Sequence, residues 1–270
     1  MSAARALALR RPAQYTRPPL RSLLCPAALL ALALAASLAL PSPGLAAGAP
    51  VTPLVARVLA AYGGRAALEQ ARVVRQEGTV TSLMHPGTGR IVRLVQRPAS
   101  LRVEIAYPDA PPEVRVLHGG HGDRDGVEVT GTPAHAAMVL QAARLSLPLA
   151  LAEPGAKVAD RGELTRDGRK VHALALALPG GLELVAEIDP QSGRILRSAG
   201  AMPAPGAGGR IEFATVYSQF KRVGGVLFAF HEENWAAGQH TADTAFERVV
   251  LNPKLTPADF APPAPKTGRI

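Results

Sequence analysis

Histidine and carboxylate side chains crowd most closely in His118-Gly-Gly-His121-Gly-Asp123-Arg-Asp125-Gly126. Imidazole nitrogens and carboxylate oxygens are ligands for zinc and calcium, and the interleaved glycines would let the backbone wrap an ion tightly. The spacing matches no zinc pattern, however, and a calcium loop would need more oxygen ligands and a closing Glu. The stretch is expected to be a solvated, metal-free hairpin loop. His231-Glu232-Glu233-Asn234 also carries acid/base groups, but neighbouring side chains in a strand leave on opposite faces, so these four cannot all converge. Gly-x-Ser-x-Gly and His-Glu-x-x-His do not occur, and no Gly-rich loop follows a strand and opens a helix as phosphate binding requires. Gly206–Gly209 sits in a Pro/Ala/Gly-rich linker, and Trp235 reads as a packing residue. The expectation is a protein that is not an enzyme and takes no cofactor.

Cysteine and charge narrow the classes further. Five of the 30 basic residues (Arg5, Arg10, Arg11, Arg17 and Arg21) fall within residues 1–47, which hold no acid, leaving 25 basic against 21 acidic residues in the rest. So small an excess, without a Lys/Arg block, gives no footprint for nucleic acid. At 47% hydrophobic residues the chain is too apolar for wholesale disorder. The arginines precede an uncharged run, Leu23–Leu40, which is followed by Pro41, Gly44 and the small residues Ala46 and Ala47. That order is a secretory signal peptide, with cleavage expected near Ala46 to Gly48. The alternative, an uncleaved anchor, is permitted by the length of the run. Cys25, the single Cys, follows Leu24 at the start of the run, where a lipidation site would need a small residue. A cleaved product would contain no cysteine and hence no thiol catalysis, disulfide or Cys metal site. Residues 1–47 are thus read as a signal peptide, 48–263 as one domain and 264–270 as a tail, in a periplasmic protein that is not integral to the membrane after processing.

The elements that must position any site are mostly strands. Thr52-Pro53 and Thr132-Pro133 each offer an N-cap followed by Pro at the first helical position. Leu54, Val55, Val58, Leu59 and Tyr62 then form one stripe, ended by Gly63-Gly64, with a short second helix over Ala66–Ala71; Ala136, Val139, Leu140, Ala143 and Leu147 form another until Pro148. Eleven β-rich runs are expected, at 73–84, 91–96, 101–107, 113–118, 157–164, 170–178, 182–188, 194–198, 210–220, 226–235 and 241–251. Tight-turn chemistry such as Asp167-Gly168 and Gly224-Gly225 separates many of them. Sequential antiparallel strands in this number form a sheet large enough to curl into a barrel or half-barrel, with helices placed to plug or cover the concave face. Leu182, Leu184, Ala186 and Ile188 alternate with Glu183 and Glu187, and Ile211, Phe213 and Tyr217 with Glu212, so one face is apolar. Helix faces rich in Ala should leave part of a large concave surface unfilled, and Leu174, Leu176, Leu184, Ile211 and Phe213 are the candidates for lining the resulting cavity.

One segment adds a family likeness. Val95-Gln-Arg-Pro-Ala-Ser-Leu-Arg102-Val-Glu-Ile-Ala-Tyr-Pro-Asp109, followed by Val114-Arg-Val-Leu-His-Gly-Gly120, resembles a stretch of the periplasmic lipoprotein carriers. The helix just after the signal and Phe260-Ala-Pro-Pro263 also agree with the layout of the wider LolA/LolB-like lipoprotein-sorting superfamily. The resemblance implies a mainly β fold, an incomplete antiparallel barrel of about eleven strands with helices closing its mouth, whose half-barrel holds a lipid or lipoprotein acyl chain, with Arg102 in contact with the helical lid. Alternation gives Arg102 another reading, since Leu101, Val103 and Ile105 share one face and Arg102 the other, beside Glu104. The function expected is therefore lipid or acyl-chain binding in transport toward the outer membrane. The alternative is an envelope scaffold that contacts other proteins and has a filled core.

Overall fold

The strands begin at the centre of a sheet, step one by one to one edge, cross to the other edge by a helix and step back to the centre. In the computed structural model residues 51–83, 87–203 and 209–265 are described. The expected signal peptide, most of the Gly206–Gly209 linker and the end of the tail lie outside them. Two helices come first, α1 (Val51–Ala61) and α2 (Gly64–Gln70). Strands β1 (Val73–Ser82), β2 (Thr88–Gln96), β3 (Ser100–Ala106), β4 (Glu113–His118), β5 (His121–Arg124) and β6 (Val127–Glu128) form the outward walk. Helix α3 (Pro133–Ala150) makes the crossing. The return runs through β7 (Val158–Arg166), β8 (Arg169–Ala177), β9 (Glu183–Ile188), β10 (Ile195–Pro203), β11 (Arg210–Val223), β12 (Val226–Ala236) and β13 (Gln239–Leu251).

Among the described residues thirteen strands form one antiparallel sheet, with β1 against β13 as the seam between the two walks and β6 and β7 at its edges. The fold is mainly β, an incomplete antiparallel barrel with helices on its concave side. The described residues hold two more strands than the eleven expected. The stretch 118–126 is not a single loop: His118 pairs with His121 across Gly119-Gly120, and a second turn at Asp125-Gly126 starts β6. Strand propensity failed there because the residues are short and polar, while the turns at either end allow strand pairing through the backbone alone.

The helices follow their start signals with two differences. Thr132 caps α3 by accepting from the His135 N–H, and Pro133 occupies the first turn. Thr52, expected to cap α1, lies within a helix that includes Val51. Pro148, expected to end α3, lies inside it; the helix continues to Ala150, with residue 148 giving no N–H to the Arg144 carbonyl. Nor is α3 apolar on one face only. It lies between two apolar clusters: Leu140, Leu147 and Leu149 pack with α1, α2 and strands β8–β10, while Met138 and Ala142 pack with β1–β4, β12 and β13. Ala136, Val139 and Ala143 are half-buried. Gly63 has a positive φ of 110° and brings α1 against the β11–β12 turn, where a Cβ would stand 2.5 Å from the Gly225 carbonyl oxygen. Tyr62 beside it accepts a hydrogen bond from the Ile195 N–H at 3.2 Å.

A third, smaller apolar cluster lies on the outer face. Leu94, Val114 and Val116, alternate to the inward residues of the same strands, bury Phe260 of the C-terminal segment. His118 stacks on the Phe260 ring at 5.5 Å.

Candidate functional site

Strand alternation brings a row of polar side chains across the middle of the concave face. Ile91, Arg93 and Val95 point inward on β2, Val74 and Gln76 on β1, Phe230 and Glu232 on β12, and Thr215 and Tyr217 on β11. Register sets Gln76 beside Arg93, Thr244 beside Glu232, Glu232 beside Tyr217, and Thr215 beside Ser198. Arg93 donates to both Glu232 oxygens at 2.9 and 2.7 Å, and its Nε donates to Gln76 Oε1 at 3.0 Å. Its guanidinium also lies 4.5 Å from the Phe246 ring centroid. With Arg93 2% exposed and Glu232 5%, this is a buried, bidentate ion pair.

A second cation reaches the row from above. Arg144 of α3 donates to Thr215 Oγ1, which itself donates to Asn234 Oδ1 at 3.0 Å; Asn234 Nδ2 donates in turn to Thr244 Oγ1 at 3.4 Å. Burial would push the Glu232 carboxyl up, but the charge and hydrogen bonds of Arg93, with the charge of Arg144, outweigh burial and hold it below the usual carboxylate range. Glu232 is therefore an ionised carboxylate with both oxygens occupied. Both oxygens are engaged by Arg93, and Arg144 acts on it through its charge.

The polar row divides the space between α3 and the sheet. Toward the end that carries the β2–β3 and β11–β12 turns, a small cavity of about 80 Å³ is walled by Leu68, Val95, Leu147, Phe220 and Leu227, among others. Toward the end that carries the β1–β2, β3–β4 and β12–β13 turns, a larger cavity of about 460 Å³ is walled by Ile91, Val103 and Ile105 of the sheet and Leu140 of α3, with Leu184 and Phe213 opposite. Arg93, Arg144 and Glu232 line both. The larger volume lies within the roughly 300–1,000 Å³ usual for small-molecule sites. Arg115, Arg124 and Glu113 also line it, with both guanidiniums on the same Glu113 oxygen at 2.7 and 3.1 Å. Trp235 lines it as well, and its indole N–H is buried without an acceptor among the described residues.

The residues singled out in the sequence fall in several places. Leu184 and Phe213 line the larger cavity. Leu174 and Leu176 lie in the packed cluster under the helices, at 0% and 4% exposure, and line neither cavity; half-buried Ile211 lines neither. Arg102, expected from the resemblance to contact the helical lid, instead donates to the Ala261 carbonyl at 3.0 Å and to Glu104 at 3.4 Å. It sits on the face away from α3 and fastens the C-terminal segment. In the 118–126 stretch, His118 meets Ser100, His121 meets Glu128, Asp123 accepts from the Gly126 N–H and Asp125 from the Val114 N–H. Each thus serves its own hairpin. No group of three or more His, Cys, Asp or Glu side chains that could hold a metal occurs among the described residues. Of His231–Asn234, the inward pair is Glu232 and Asn234, while His231 meets Ser218.

Sequence reading passed over Arg93, Arg144 and Gln76. The signal was available for two of them: Arg93 between Ile91 and Val95, and Gln76 two residues after Val74, are polar residues at apolar positions of a period-2 pattern.

No family model and no curated protein matches the chain. Solved structures do. A LolA superfamily protein from Nitrosomonas europaea is 11% identical over 73% of this chain and 96% of that one, with a TM-score of 0.47. A DUF1329 family protein from Desulfovibrio piger is 10% identical over 79% and 98%, with a TM-score of 0.46. A domain assigned to outer membrane lipoprotein sorting, from Vibrio parahaemolyticus, is 8% identical over 77% and 94%, with a TM-score of 0.42. These identities are too low to carry any residue's role across.

Proposed function

We propose that this chain is an exported periplasmic protein that binds a lipid or a lipoprotein acyl chain non-covalently in the larger cavity. The observation that carries the reading is the cavity of about 460 Å³ itself, with aliphatic side chains of both the sheet and α3 on its walls. Each methylene moved there from water contributes ~0.8 kcal/mol, so a chain of modest length is held without covalent chemistry. Leu184 and Phe213 are the lining residues that the sequence also singled out. The arginine-led apolar run of residues 1–47 supports export. No helix among the described residues is long and apolar enough to cross a membrane.

Solvent extraction and mass analysis of what copurifies with the exported protein tests the reading. The expected result is a discrete set of acyl-bearing species in near-stoichiometric amount. Recovery of none from protein purified without detergent would favour the scaffold alternative.

A further inference from the structure

The larger cavity is apolar on its walls but not neutral. Its charged lining residues are four arginines, Arg93, Arg115, Arg124 and Arg144, against two glutamates, Glu113 and Glu232. At each place the pattern is the same, two guanidiniums to one carboxylate. Arg93 takes both Glu232 oxygens, which leaves Arg144 a hydroxyl partner in Thr215. Arg115 and Arg124 share a single oxygen of Glu113, and Arg124 is half-exposed. Glu113 is held below the usual carboxylate range because the two arginines outweigh its burial, so it is ionised and the count stands at neutral pH. Asp125 lies near enough to act on Glu113 but does not line the cavity, so the lining itself is net positive; an apolar pocket so lined favours a ligand that brings its own negative charge.

We propose that the ligand is an amphiphile with an anionic headgroup, a phosphate or carboxylate, bound with its tail along Ile91, Ile105, Leu140 and Leu184 and its headgroup on Arg115 and Arg124. The headgroup belongs at these two arginines because they are the more accessible pair, so the charge keeps part of its hydration while the tail is buried. Guanidinium nitrogens not used on Glu113 supply the fork geometry that phosphate and carboxylate oxygens accept. This inference rests on the cavity reading above and adds the chemistry of the headgroup.

The test titrates purified, delipidated protein with dodecyl phosphate, dodecyl maltoside and inorganic phosphate, each below any micelle-forming concentration. Dodecyl phosphate should bind about tenfold more tightly than dodecyl maltoside, the gain expected from one or two charge-assisted hydrogen bonds. That preference should shrink in Arg124→Gln and vanish in Arg115→Gln/Arg124→Gln, with maltoside binding unchanged. Arg90→Gln, an exposed arginine paired with Glu247, should leave it intact. Equal binding of the two amphiphiles by the unaltered protein, or a preference that survives the double substitution in a variant of unchanged melting temperature, overturns the headgroup assignment and leaves the cavity reading standing. Failure of both amphiphiles to bind overturns the cavity reading as well. Inorganic phosphate displacing dodecyl phosphate at comparable concentration would make the site one for free anions and overturn the amphiphile proposal.

Discussion

Arg93 and Glu232 place a full ion pair inside an apolar cleft, and removing a charged pair from water is costly unless its geometry is good and its hydrogen bonds are complete. Here it is bidentate, with Gln76 and Phe246 completing the surroundings of the guanidinium. Breaking such a pair from one side strands the other charge. Glu232→Gln should therefore cost about 3–5 kcal/mol in denaturant unfolding, while Arg93→Met/Glu232→Met, which removes both charges, should cost markedly less. A double variant as unstable as the single one would show that the two do not act as a pair. The pH dependence has a definite sign. The Glu232 carboxyl is depressed in the folded state, so its contribution is complete above the ordinary carboxylate range and is lost as pH falls through that range toward the folded value. On acidification the unaltered protein should lose stability more steeply than Glu232→Gln, with the two running parallel at neutral pH. Parallel curves throughout would remove Glu232 from the account.

Between elements, the seam of β1 with β13 is the one place where the outward and returning walks meet within the sheet. The register shifts there between Glu77 and Gly78, and a Cβ on Gly78 would stand 2.0 Å from the Ala245 carbonyl oxygen. Backbone must move to admit any side chain, so Gly78→Ala should destabilise by about 2 kcal/mol or more, near the upper end of ordinary single substitutions. A melting temperature unchanged from the parent would mean that the seam adapts freely. The seam also marks what the sequence could convey. Long alternating runs such as Leu182–Ile188 and the Thr132-Pro133 helix start were legible because period and capping are local. Strands β5 and β6 were not, since β5, His121-Gly-Asp-Arg124, carries no apolar residue and pairs with β4 through its backbone, and the two-residue β6 pairs in turn with β5. The cavity's two walls were half legible: alternation gave the inward face of Leu184 and Phe213 but also of Leu174 and Leu176, and only the path of α3 decides which are covered. Arg144 was invisible as a site residue because its hydrogen bond to Thr215 joins residues 71 positions apart through that path.

For the molecule as a whole, two properties follow from the order of its parts. The arginines, apolar run and small residues at the N-terminus predict removal of the segment near Ala46 to Gly48; intact mass of the exported protein should begin there, and recovery of residues 23–40 in a membrane fraction would contradict it. The open sheet, whose outward and returning walks α3 connects across the concave face, predicts a cavity that exchanges its contents with solvent, because α3 covers part of that face and no strand pairing among the described residues closes β6 to β7. Ala137 lies on α3 at the wall of the larger cavity and is half-buried, so enlarging it fills the space from the helix side without cutting into the core around Leu184. The most direct measurement is a titration of delipidated protein with a fluorescent fatty acid, repeated on Ala137→Phe. Saturable binding of about one equivalent, weakened about tenfold or more by Ala137→Phe with the melting temperature retained, is the predicted result. No saturable binding to folded, delipidated protein, or binding indifferent to Ala137→Phe, would contradict the account.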